Sequence, residues 1–298
     1  NEQYNQCAAC LWIALGQLRG QWEYMNNSIY FPPSLQRFEP KRMVFSTWVD
    51  HLPFAYDLVA AIRPKLIVEL GVYNGLSFFT FCQSMVENNI DGVAYGVDCW
   101  EGDEHTDAYD DSIYNDVADH ARVNYRGNTY LLRMFFNEAL RHFEDNTLDL
   151  LHIDGLHTYE AIQEDFTNWY PKVKPGGIIL FHDVMAKIKD FGAWKYFEEL
   201  EGQYQDVFKF NHGFGLGVMR KPGGEPSDEP LLDLLFSKDE DTIQKLRQLY
   251  VHAGLFLEAR RQATFWRQAR KGGKKGGQGK DQPAAESEVQ ATPPAQEG

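Results

Sequence analysis

The sequence predicts an α/β fold: a doubly wound sheet of seven strands, mostly parallel with a C-terminal antiparallel hairpin, plus flanking N- and C-terminal helices. Two observations carry that expectation. Between residues 64 and 220, short apolar runs alternate with longer amphipathic ones, the pattern of βα units that build a parallel sheet. The last two apolar runs are separated only by "NHGF", a link too short for a crossover and suited only to an antiparallel hairpin.

Taken in order, the expected strands are "KLIVEL" (65–70), "GVAYGVD" (92–98), "TYLLRM" (129–134), "LDLLHID" (148–154), "GIILFHD" (177–183), "DVFKF" (206–210) and "GLGVMR" (215–220). Helical spacers fill the first four gaps. The spacer from about 156 to 170 carries Tyr159, Ile162, Phe166, Trp169 and Tyr170 three or four residues apart, and "KPGG" stops the chain before the next strand. Upstream, residues 1–62 hold two helices, and "WVDHLPFAYDLVAAI" (48–62) packs beside the sheet. Downstream, 230–269 is helix-periodic, with a stripe of Leu231, Leu234, Leu235, Ile243, Leu246, Leu249 and Tyr250 whose ordinary meaning is core or dimer contact. The expected organisation is an N-terminal helical extension (1–45), a central domain (46–222), a C-terminal helical extension (223–270) and a disordered tail (271–298). The tail has a single valine as its only large apolar residue, and its four lysines balance its four carboxylates.

Composition narrows the function classes. A chain of 298 residues that is 43% hydrophobic and 14% aromatic can bury a sizeable core. The formal charge of −14 disfavours a broad nucleic-acid or anionic-membrane surface, so a small-molecule partner is expected. Four scattered cysteines, Cys7, Cys10, Cys82 and Cys99, make no disulfide framework, and a cytoplasmic setting is the expectation. No apolar run approaches the roughly 20 residues of a membrane span.

The turn "VELGVYNGLSF" (68–78) places Glu69, Gly71 and Gly75 where the first strand passes into a helix. Dinucleotide enzymes seat a pyrophosphate there with G-x-G-x-x-G. Here the spacing is E-x-G-x-x-x-G, with Tyr73 in place of a middle glycine, and the carboxylate suits a ligand that carries a cation. S-adenosylmethionine is such a ligand. Asp98 ends the second strand, where a carboxylate can accept both ribose hydroxyls. Taken alone, the turn fits any tight βα turn of a Rossmann-like protein about as well.

With "VELGVYNGLS", "GVDCWEGDEH", "LLHIDGLHTYEAIQEDF", "KPGGIILFHDV" and the closing "GFGLGV" in this order, residues 46–220 resemble the class I S-adenosylmethionine-dependent methyltransferases. The resemblance is strongest to the branch that includes bacterial sugar and macrolide O-methyltransferases and cephalosporin-hydroxylase-like proteins. It implies a cofactor site of Glu69, Gly71, Tyr73, Gly75, Ser77 and Asp98, with Trp100 against the adenine. It also makes the fourth and fifth strands neighbours, so that Asp154 and the pair His182 and Asp183 emerge side by side, roughly 5 Å apart. Two carboxylates that close repel unless a proton or a metal lies between them. Oxygen ligands with an imidazole suit Mg²⁺, with Mn²⁺ or Ca²⁺ as alternatives. Related metal-dependent O-methyltransferases have an acidic or amide pair where this chain has His182 first. In this reading Asp154 and His157 are catalytic, His157 as the base. The plainer reading makes His157 a helix cap and gives the two aspartates to strand-end amides.

Other candidates are Asp103, His105 and Tyr109 in the acidic loop, and Phe135 and Phe136 after the third strand, each as easily solvated charge or packing. The expected activity is methylation of a hydroxyl on a sugar, glycoside or other small polyol. A cephalosporin-hydroxylase-like enzyme and a non-catalytic interaction module are the alternatives. A homo-oligomer, or a fused or neighbouring glycosyltransferase domain, is the partner that the resemblance allows.

Overall fold

The computed structural model describes residues 30–44, 46–102, 110–188 and 190–272. The expected helices before residue 30, Cys7, Cys10, Asp103, His105, Tyr109 and the tail from 273 onward lie outside the described residues. The elements are α1 (Pro33–Arg37), a 3₁₀ turn (Thr47–His51), α2 (Leu52–Ile62), β1 (Leu66–Leu70), α3 (Leu76–Glu87), β2 (Val93–Asp98), α4 (Asp111–Asn124), β3 (Thr129–Arg133), α5 (Phe136–Ala139), β4 (Leu148–Ile153), α6 (Tyr159–Trp169), β5 (Val173–His182), α7 (Ala193–Gln203), β6 (Val207–Phe210), β7 (Leu216–Arg220), α8 (Pro230–Leu235) and α9 (Glu240–Gly272). A first compact unit ends at Glu258. A second begins at Ala259, and its described residues are helical.

The seven strands form one sheet in the order β3-β2-β1-β4-β5-β7-β6. The first five pair in parallel, and β7 runs antiparallel to β6, as the short link requires, and also to β5. Alternate residues of each strand serve opposite faces. Ile67, Ala94, Leu150, Ile178 and Leu180 join a core with Trp48, Phe54, Phe81, Leu231, Leu246 and Tyr250. Val68, Leu70, Leu151, Ile153, Ile179 and Phe181 join another with Ile162, Phe166, Trp169 and Phe197. The near-continuous apolar runs in the sequence follow from this, because helices cover both faces.

Two elements differ from expectation. "KPGG" does not stop the chain but lies inside β5, in a bulge between the pairs Leu148↔Val173 and Leu150↔Ile178. Gly176 makes this possible at φ +78°, and its amide donates to the Lys221 carbonyl at 2.8 Å. The β5–β6 connection, for which the apolar pattern gave no element, contains α7. Helix α6 starts at Tyr159 because the Thr158 side chain accepts from the Ala161 amide. Among the described residues no helix is long and apolar enough to cross a membrane.

Asp57 on α2 is buried in the first core, where its carboxylate accepts from the Ser34 amide (2.7 Å), the Ser34 hydroxyl (2.6 Å) and the Tyr250 hydroxyl (3.1 Å). Burial nonetheless raises its pKa to about 7. An unfolded Asp ionises near about 3.9, so between the two values the folded state holds the extra proton and stability falls as pH rises. In denaturant unfolding from pH 5 to 8, wild type is expected to lose a few kcal/mol from this group. Asp57→Asn is expected to flatten that decline. Equal pH slopes in the two proteins would contradict it.

Candidate active site

A cavity of about 440 Å³ opens at the C-terminal edge of the sheet, where β1, β2, β4 and β5 deliver their ends. Along one side run Gly71, Val72, Tyr73, Asn74, Gly75 and Ser77, with Asp98. Along the other stand Asp154, His157, His182 and Asp183. Parallel register sets this meeting: Leu70 pairs with Ile153 and Ile153 with Phe181, so the residues that follow leave the sheet at one level.

The glycine turn is held from within. Asp98 Oδ2 accepts from the amides of Val72 (2.9 Å) and Tyr73 (2.8 Å), and Oδ1 accepts from the Trp100 amide (2.7 Å). Gly71 has φ +88°, and a Cβ there would stand 2.0 Å from the Asp154 carbonyl oxygen. Of the seven described non-glycine residues with positive φ, Tyr73, Trp100, Asp183 and Phe214 lie in the turns at this edge. Such conformations cost of order 1–3 kcal/mol each and gather at functional sites.

Across the cavity, His157 Nε2 lies 2.7 Å from Asp183 Oδ2 and 3.5 Å from Asp154 Oδ1. His182 Nδ1 lies 3.2 Å from Asp154 Oδ1 and 3.4 Å from Asp183 Oδ1. One ligand atom each of Asp154, His182 and Asp183 falls within a 4.8 Å group, a geometry able to hold a metal ion. Burial would lower the pKa of His157, but the two carboxylates lift it to about 10. Burial likewise opposes, and the same carboxylates favour, a raised His182. Asp154 is held below the usual carboxylate range by His182, His157 and His152 in spite of its burial. In this arrangement protons on imidazoles balance the carboxylates.

Residues 68–184 match the sequence family described as "Methyltransferase domain". The match runs from within β1 to just past β5, and over it this part of the chain is similar to a methyltransferase domain. An uncharacterized protein, y4gI, of Sinorhizobium fredii is 42% identical over 172 residues, covering 57% of this chain and 19% of its own length. An uncharacterized protein, R132, of Acanthamoeba polyphaga mimivirus is 29% identical over 123 residues, covering 39% of this chain and 50% of itself. The chain thus spans a fifth to a half of these curated relatives. Among solved structures, the O-methyltransferase NovP aligns with a TM-score of 0.47 at 16% identity over 58% of this chain and 80% of NovP. The O-methyltransferase TomG of Streptomyces achromogenes aligns at 0.45 and 15% identity over 62% and 83%.

Within the matched segment, Gly71, Tyr73, Gly75, Ser77, Asp98, Asp154, His157, His182 and Asp183 all line this cavity. Two expected cofactor residues do not. Trp100 is 1% exposed, set in the core by its left-handed φ, with its indole N–H donating to the Tyr73 carbonyl at 3.0 Å. It therefore braces the turn from below and does not line the cavity. Glu69 is wholly buried: Oε1 accepts from the Ser77 hydroxyl (2.9 Å), and Oε2 lies 3.1 Å from His152 Nδ1. It bears on the cavity through Ser77 and through His152, whose Nε2 lies 4.0 Å from Asp154 Oδ2. Phe135 and Phe136 both line the cavity.

Val44, Ser46, Thr47 and Trp48 close the cavity from the chain before α2, and no motif or spacing marks them. Trp48 packs on His152 (ring centroids 4.9 Å apart) and on His182 (5.5 Å). Arg42 fixes this segment to the glycine turn by donating to the Asn74 carbonyl at 2.9 Å.

Proposed function

We propose that the domain is a divalent-metal-assisted O-methyltransferase whose acceptor is a hydroxyl of a sugar, glycoside or other small polyol. The observation that supports it is a glycine turn shaped for a cofactor, sharing one cavity with a cluster of two carboxylates and an imidazole. In this reading Gly71, Tyr73, Gly75 and Ser77 bind S-adenosylmethionine, and Asp98 faces its ribose. Asp154, His182 and Asp183 fit a divalent ion: Asp183 Oδ1 is buried without a hydrogen bond. The 3.2 and 3.4 Å separations around His182 Nδ1 are close to the ~3 Å between adjacent ligands of an octahedral ion. Such an ion, when bound, would orient an acceptor hydroxyl and lower its pKa.

The chain's own groups supply the rest. The turn and the strand ends set methyl donor and hydroxyl in one cavity, which lowers the entropic barrier to in-line transfer. His157 is stacked on Phe191 at 4.6 Å and held by both aspartates, so its ring is fixed before substrate arrives. A base whose conjugate acid ionises near 10 is already protonated at neutral pH. A cation held by Asp154, His182 and Asp183 would take over the compensation of the two carboxylates, and His157 Nε2 would then be the base for the acceptor hydroxyl.

Incubation of the protein with labelled S-adenosylmethionine and a panel of glycosides and polyols, with Mg²⁺ or Mn²⁺ and with EDTA, tests this. Transfer that needs the ion is expected, together with S-adenosylhomocysteine binding in titration calorimetry. Failure to bind either form of the cofactor would sink the whole reading. Equal transfer in EDTA would remove only the metal.

A further inference from the structure

We propose that the Asp154, His182 and Asp183 cluster selects a first-row transition ion, such as Mn²⁺, Fe²⁺ or Co²⁺, over Mg²⁺. The inference rests on the metal-assisted reading above and concerns what the chain has done with its one nitrogen ligand. His182 Nε2 lies 3.2 Å from the Gly213 carbonyl oxygen. A carbonyl only accepts, so Nε2 carries the proton and donates. The same oxygen lies 3.1 Å from His51 Nε2, and its two lone pairs accommodate both donors. The ring is also gripped by its neighbours. Trp48 lies tilted at 5.5 Å, and His51 edge-on at 5.9 Å. His182 is 3% exposed and cannot swing to another partner.

With Nε2 committed, Nδ1 is the ring atom that faces Asp154 Oδ1 and Asp183 Oδ1, and an ion held between those oxygens would take the place of its proton and meet its lone pair. A carbonyl that accepts from the far ring nitrogen, and so fixes the tautomer, is what metal-ligating imidazoles ordinarily have. A polar cluster that merely needed mutual hydrogen bonds would not bury an unsatisfied Asp183 oxygen beside a fixed ring. Imidazole is a borderline donor that suits first-row transition ions, whereas Mg²⁺ takes carboxylate, carbonyl and water oxygens. The hairpin supports the arrangement at some conformational expense. Gly213, Phe214 and Gly215 all have positive φ, and this aims the Gly213 carbonyl inward at His51 and His182.

The test uses the full chain stripped of metal. Mn²⁺ binding is followed by loss of the aqueous Mn²⁺ spin-resonance signal, and Mg²⁺ is the competitor. The variants are His182→Asn, which puts an oxygen where Nδ1 stands, and His182→Asp. Wild type is expected to bind one Mn²⁺ with electron spin-echo modulation from a directly bound ¹⁴N. Both variants are expected to lose that modulation and to lower the Mn²⁺-over-Mg²⁺ preference by about tenfold or more. S-adenosylhomocysteine titration checks that each variant retains its fold, and the nitrogen signal of wild type stands even if one does not. An unchanged preference, or bound Mn²⁺ without nitrogen modulation, overturns the selectivity while leaving a metal in place. If neither ion binds wild type although S-adenosylhomocysteine does, the metal reading falls with it.

Discussion

Asp154→Asn is expected to lower kcat on the order of 10³-fold, measured on whichever acceptor the glycoside panel yields, while S-adenosylhomocysteine affinity stays within about threefold. The reason is position. Asp154 is the group on which three histidines converge: His182 at 3.2 Å, His157 at 3.5 Å and His152 at 4.0 Å. Its backbone belongs to the glycine side of the cavity, through its amide bond to the Leu70 carbonyl at 2.9 Å, whereas its carboxylate belongs to the acceptor side. An amide keeps the shape and the backbone bond, so the cofactor half stays built. It removes the charge that His157 and any bound ion depend on. A loss smaller than about tenfold would assign Asp154 to packing rather than to the chemistry.

Much of this site is legible in the sequence, because a parallel sheet turns an order of motifs into a place. Each apolar run ends at the same edge, so Gly71, Asp98, Asp154 and His182 could be grouped without knowing any loop. What is not legible depends on contacts across long separations or on a single backbone angle. Trp48 meets His152 and His182 only because the chain before α2 folds over the strand ends, and nothing local to "TWVDH" encodes that. Trp100 follows Asp98 by two residues and looks like a lid on the cofactor. Yet the Asp98 carboxylate captures the Trp100 amide and the backbone turns left-handed, which sends the indole inward. Glu69 has the position of a ligand-binding acid, but pairing of β1 with β4 sets it opposite His152, and burial keeps both there. The "KPGG" bulge fails as a stop signal for the same kind of reason. Its glycine serves a strand that widens rather than a chain that ends.

Gly71→Ala is expected to be among the most damaging small substitutions in the domain, and comparison with Gly127→Ala shows why. Both glycines have positive φ, +88° and +102°, so an alanine at either place incurs roughly 1–2 kcal/mol of left-handed strain. At Gly127 nothing lies within 4 Å of the added Cβ, so that strain is the whole effect. At Gly71 the methyl would stand 2.0 Å from the Asp154 carbonyl oxygen and 2.6 Å from its carbonyl carbon. These are backbone atoms just past the end of β4, anchored by the Asp154 amide bond to Leu70, and they cannot rotate aside as a side chain could. Relief must come from parting β1 and β4 at their ends, which separates the cofactor turn from Asp154. Gly71→Ala should therefore lower the melting temperature well beyond Gly127→Ala and weaken S-adenosylhomocysteine binding by at least about 10²-fold, some 2.7 kcal/mol. Gly127→Ala should leave that affinity unchanged. Equal effects of the two substitutions on cofactor binding would mean that the close approach of the two strand ends is not what shapes the site.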